Sequence, residues 1–175
     1  MPVYELVPNE LLVASFLDFS GNPQDGKGMI TLLTLPEILR EIDSDSRLGE
    51  AGAQERLLGF QAMSASMTLK GISEELDLML KNTMAPNGAV NPITVQIDGI
   101  ARDRYSTATA AIKYTLKGEV KKYPFHTSLA PNEKAEMELQ MTVWGFGHQL
   151  GANSFYFEPQ AQKWEVNGTN LWVRG

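Results

Sequence analysis

Between Ile93 and Glu158 the chain repeatedly places an apolar residue at every second position. Ile93, Val95 and Ile97 alternate with Thr94, Gln96 and Asp98. Ile112, Tyr114 and Leu116 alternate with Lys113, Thr115 and Lys117. Met137, Leu139, Met141 and Val143 alternate with Glu136, Glu138, Gln140 and Thr142, and Phe155 and Phe157 alternate with Tyr156 and Glu158. A period of two sends one face of each strand into a core and leaves the other wet, as in antiparallel sheets. Gln61 to Leu69 follows the same rule, with Met63, Ala65, Met67 and Leu69 on the apolar side. Lys163 to Trp172 reads as a hairpin turning at Asn167-Gly168, a strong turn dipeptide. Strands separated by Gly, Pro and Asn turns predict a mainly β fold: an antiparallel β-sandwich or rolled barrel.

The period changes once. Ile72, Leu76, Met79 and Leu80 recur at helical spacing, which predicts one flanking α-helix of two to three turns. Ser73 suits its N-cap, Glu74 and Glu75 the positive end of its dipole, and Lys81 the negative end. Met84 to Gly88 carries the Pro and Gly that end it.

Nearer the N-terminus, residues 1–10 contain Pro2 and Pro8 and read as an extended arm. Leu11 to Phe19 and Met29 to Leu35 are apolar on both alternating faces. Such strands are buried on both sides, or bury their second face on assembly. Gly21 to Gly28 reads as a turn. A polar span follows, Asp43 to Arg56, in which Leu48 is the only large apolar residue. Structureless loops of this length inside a compact domain are uncommon and are often functional. Two readings stand: a loop projecting from a β-domain to dock on a neighbouring copy, or a solvated surface loop without a partner.

The 175 residues suit a single domain, residues 1–175, with a sizeable core. Lys and Arg number 15 against 21 Asp and Glu, for a net charge of −6. That balance argues against a nucleic-acid footprint, which needs clustered cations. Lys113, Lys117, Lys121 and Lys122 gather on strands without interleaved aromatics. No cysteine is present, which excludes disulfides and thiolate chemistry. The apolar run Leu11 to Leu17 is too short to span a bilayer, and no basic region precedes it. Neither a signal peptide nor a transmembrane helix is expected.

Candidate chemistry is sparse. Gly21-x-x-x-x-Gly26-Lys27 matches most of a P-loop, but Gly28 replaces the magnesium-binding hydroxyl and a strand pattern follows instead of a helix. Asp43-x-Asp45 opens like a calcium loop, yet Arg47, Leu48 and Gln54 occupy positions that need a ligand, a glycine and a glutamate. His126 and His148 lack metal-ligand spacing and read as structural. The glycines in Trp144 to Gly151 predict a bend. Trp144, Phe146, Phe155, Tyr156, Phe157, Trp164 and Trp172 match a carbohydrate platform in composition, but alternation favours core or interface. No catalytic, cofactor-binding or metal residue is expected.

The order of segments is itself informative. An arm and strand lead to Leu35-Pro36-Glu37-Ile38 and a charged loop containing Gly49-Glu-Ala-Gly52. A strand and single helix precede Val95 to Asp103, Ile112 to Val120, Met137 to Trp144 and a closing Glu165-Val-Asn-Gly168. This order resembles the major tail tube protein of contractile-tailed, P2-like bacteriophages, and also tube proteins of phage-tail-like bacteriocins. The resemblance implies a fold related to that of the type VI secretion tube. It implies hexameric rings stacked into a tube around a lumen, through which DNA passes without specific binding. The implied partners are other copies of the chain, the tail sheath, the tape measure protein, the baseplate and the tail terminator. The implied location is a virion tail assembled in the host cytoplasm, with no membrane anchor. On this reading the loop at residues 43–56 reaches the adjacent ring, with Asp43, Asp45, Arg47, Glu50, Glu55 and Arg56 as contact candidates. A bacteriocin or secretion tube, a monomeric ligand-binding β-sandwich and an enzyme with a spatially assembled site are the alternatives.

Overall fold

A computed structural model describes residues 4–6, 13–18, 20–26, 29–45, 54–84, 92–123 and 137–172. Over these residues the fold is mainly β with one α-helix, and every strand pairing is antiparallel. In chain order the elements are β1 (Tyr4–Leu6), β2 (Val13–Leu17), β3 (Pro23–Asp25), β4 (Ile30–Thr34), β5 (Arg40–Asp45), β6 (Gln54–Phe60), β7 (Met63–Leu69) and α1 (Glu74–Thr83). The remainder are β8 (Ile93–Asp103), β9 (Thr109–Lys122), β10 (Met137–Leu150), β11 (Asn153–Glu158), β12 (Lys163–Val166) and β13 (Thr169–Asn170).

Eleven strands share one sheet, ordered β13-β12-β11-β10-β9-β8-β2-β3, with β1 on β8, β7 on β10 and β4 on β7. The sheet forks at β10. One edge of β10 pairs with β9, while the other pairs first with β7 through Met137–Val143 and then with β11 through Phe146–Leu150. The two branches roll around one core, whose fully buried members include Phe16, Met67, Leu69, Leu116, Leu139 and Phe157. Helix α1 adds Leu76, Met79 and Leu80 to it. The predicted cap is present, with Leu76 N donating to Ser73 Oγ at 3.2 Å.

The predicted bend at Trp144 to Gly151 is instead part of a 14-residue strand. A register shift against β9 falls between Val143 and Gly145. Trp144 is the extra residue of this bulge, and it inverts the alternation. Before it, the odd-numbered Leu139, Met141 and Val143 face the core. After it, the even-numbered Phe146, His148 and Leu150 lie opposite the core residues Leu116, Tyr114 and Ile112.

Two further expectations are corrected. The polar span 43–56 is strand at both ends, with β5 and β6 forming a separate two-stranded sheet. The Gly21–Gly28 turn contains β3, which folds back on β2. The N-terminal strands bury one face more than the other: Ala14, Phe16 and Ile30 are buried, Leu17 and Leu33 half-buried, and Leu32 is 62% exposed. Residues 4–6 of the expected arm pair with Ala101–Asp103.

Candidate assembly surfaces

The rolled sheet has one polar face, and register shows which residues share it. Across β2, β8, β9, β10, β11 and β12 a row runs Ser15, Gln96, Thr115, Gly147, Tyr156, Glu165. Neighbouring rows carry Asp98 beside Lys113, Thr94 beside Lys117, and Glu158 beside Lys163. The lysines in this patch are matched by carboxylates. Lys113 Nζ lies 3.8 Å from Asp98, Lys117 Nζ 2.9 Å from Glu158, and Lys163 Nζ 3.8 Å from Glu165. Exposed pairs of this kind contribute little to stability. Their consequence is a charge-balanced surface.

At its centre Tyr156 lies across two glycines. A Cβ on Gly145 would come 2.5 Å from Tyr156 Oη, and one on Gly147 would come 3.2 Å from the Tyr156 ring and from Thr115. The glycines leave room for the ring, and Tyr156 Oη donates to Glu158 Oε2 at 2.8 Å. Glu158 also accepts from Lys117 Nζ. Burial pushes the Glu158 carboxyl up, but the hydrogen bonds from Lys117 and Tyr156 outweigh it, and its pKa falls below the usual carboxylate range. Burial and the Glu158 charge raise the Tyr156 phenol. Sequence reading missed this network. Its one visible signal was a Gly-x-Gly pair interrupting an alternating strand, with a tyrosine in the strand that follows.

The second surface is the β5–β6 hairpin. In its register Asp43 stands opposite Arg56, Ser44 opposite Glu55 and Asp45 opposite Gln54. Asp43, Asp45, Glu55 and Arg56 are thus gathered on paired strands, whereas Arg47 and Glu50 lie outside the described residues. Among the described residues β5 and β6 pair only with each other. Their root is fastened to the main sheet. Gln61 N donates to Leu39 O at 3.0 Å. The Phe60 ring meets Phe157 edge-on at 4.7 Å and lies 5.9 Å from both Trp164 and Trp172. Arg40 covers Phe60 and Trp164 at 5.9 Å each.

The remaining candidates resolve structurally. Gly26 of the P-loop-like match packs on Phe16, whose ring a Cβ would meet at 2.5 Å, and the strand β4 follows at Ile30. Among the described residues no helix terminus follows to receive a phosphate. Lys27 and Gly28 lie outside the described residues, as does His126. His148 stacks on Tyr114 at 5.0 Å, and burial lowers its pKa. Phe146, Phe155, Phe157, Trp164 and Trp172 pack in or against the core, Tyr156 spreads over Gly145 and Gly147, and Trp144 is the half-buried bulge residue of β10. Among the described residues no group of three His, Cys, Asp or Glu side chains is placed to hold a metal, and no helix is long and apolar enough to cross a membrane.

A family model for phage tail tube protein FII matches residues 21–173. No curated protein matches the chain.

Proposed function

The chain belongs to the phage tail tube protein FII family, and from that premise we propose that it builds the inner tube of a contractile tail as stacked hexameric rings enclosing a DNA conduit. The observation that carries this reading is the family match across nearly the whole chain. A tail tube subunit is a structural component of the virion tail that assembles with copies of itself and other tail components.

Two features support the finer reading. A broad, charge-balanced polar sheet face is suited to a lumen, because it offers passing phosphates no net cationic field. The β5–β6 hairpin is suited to reaching an adjacent ring, with Asp43, Asp45, Arg47, Glu50, Glu55 and Arg56 as its contacts. Strand edges open in the lone chain support ring formation. Among the described residues β3, β4 and β13 each pair along one edge only, and closing such edges against neighbours protects them from aggregation. The sheath, tape measure protein, baseplate and terminator are the partners of this assembly, which forms in the host cytoplasm.

Negative-stain electron microscopy of the concentrated protein tests the tube. Hollow tubes of uniform diameter are expected, either spontaneously or when baseplates are added as seeds. Dispersed particles under both conditions overturn the reading. Deleting residues 44–55 tests the arm. The truncated subunit is expected to keep its β circular dichroism and cooperative unfolding but to form no long tubes. Long tubes of normal width from the truncated chain overturn the stacking role.

A further inference from the structure

The hairpin joining β8 to β9 ends in a tip braced by its own side chains. Ser106 Oγ donates to Asp103 Oδ2 at 2.6 Å, Ala108 N donates to Ser106 Oγ at 3.2 Å, and Asp103 N donates to Ala108 O at 2.9 Å. This tip holds Tyr105 out at 76% exposure, with the Arg104 guanidinium 5.8 Å from its ring centre. Tyrosine and arginine dominate the energetics of protein interfaces. A rigid aromatic loses little conformational entropy when a partner covers it.

The opposite end of the same strand carries a matching surface. Leu17 pairs with Thr94, so Asp18 lies beside the start of β8, whereas the tip follows its end. The 11 residues of β8 separate the two by about 30 Å. Beside Asp18 a cleft of about 290 Å³ opens between the β2–β3 turn and α1, with Leu78 and Met79 among its apolar lining and Asp18 and Glu75 among its acidic lining. Leu78 is 61% exposed. The cleft lies at the lower end of the ~300–1,000 Å³ of small-molecule sites. Its scale suits a side chain, and apolar surface beside carboxylates complements an aromatic ring beside a guanidinium.

We propose that the Arg104–Tyr105 tip of one copy docks into the cleft formed by Asp18, Glu75, Leu78 and Met79 of the next copy. A contact joining opposite ends of one subunit is heterologous and propagates copy to copy. It rests on the tube reading and adds a stacking contact distinct from the β5–β6 arm.

Because the chain has no cysteine, the pair Tyr105→Cys with Leu78→Cys introduces the only thiols. Tubes of this double variant, treated with a mild oxidant, are expected to give a ladder of covalent multimers on non-reducing gels, with neither single variant giving more than a dimer. Double-variant tubes that yield no ladder overturn the contact while leaving the tube reading intact. Wild-type protein that forms no tubes, with or without baseplates, overturns both. Should the cysteine pair itself block assembly, charge reversal decides. Arg104→Glu and Glu75→Arg are each expected to raise the concentration needed for assembly about tenfold. Combining them is expected to restore it, and failure of that restoration in folded protein overturns the proposal.

Discussion

At the scale of single residues, two glycines on β9 and β10 meet steric obstacles of different kinds. A Cβ on Gly118 would come 2.0 Å from the carbonyl oxygen of Thr142, a backbone atom held in the ladder beside the Trp144 bulge. A Cβ on Gly145 would meet Tyr156 Oη at 2.5 Å, the far end of a side chain able to swing aside. These two obstacles yield differently. Gly118→Ala is expected to cost about 3 kcal/mol, because relief requires the backbone to move. Gly145→Ala is expected to cost about 1 kcal/mol, largely through the displaced Tyr156–Glu158 hydrogen bond. Urea unfolding of both variants measures the order. Equal losses would show that the β9–β10 ladder yields as readily as a tyrosine ring.

At the scale of elements, Phe60 links the arm to the body. It belongs to β6, yet its ring contacts Phe157 and Trp164 of the main sheet and Trp172 beyond it. Phe60→Ala is expected to cost about 2 kcal/mol, less than a fully buried phenylalanine because the ring is half-buried. Its sharper signature is local: hydrogen exchange is expected to accelerate at β5 and β6 amides while β8 to β10 keep their protection. Unchanged protection of the hairpin would show that its orientation does not depend on this ring. The sequence disclosed Phe60 only as an apolar residue beside a polar span. Elements with a one-sided core face were legible, as Met63, Ala65, Met67 and Leu69 of β7 and Leu76, Met79 and Leu80 of α1 demonstrate. The polar strands β5 and β6 had no such face to report their period. β10 was legible to Val143 and then lost, because the bulge at Trp144 exchanged its faces midway. The arm was therefore found by its polarity but not by its structure, and the tip at Tyr105 left no period of its own.

At the scale of the whole molecule, the net charge of −6 is distributed away from the polar sheet patch, where Lys113, Lys117 and Lys163 balance Asp98, Glu158 and Glu165. In a tube lined by this face, a small change in balance would be repeated by every subunit of every ring. Asp98→Asn together with Glu165→Gln removes the carboxylates beside Lys113 and Lys163 while leaving the half-buried Tyr156–Glu158–Lys117 network in place. Each subunit then gains two uncompensated positive charges on one surface. Wild-type tubes are expected to retain no duplex DNA on pelleting at physiological salt. Double-variant tubes are expected to retain it, with affinity falling steeply between about 50 and 200 mM salt as condensed counterions are exchanged. The steep salt dependence distinguishes a phosphate field from specific recognition, since base contacts change little with ionic strength. Double-variant tubes that retain no more DNA than wild type would mean that this face does not line the passage, and the lumen would have to be sought on another surface of the subunit.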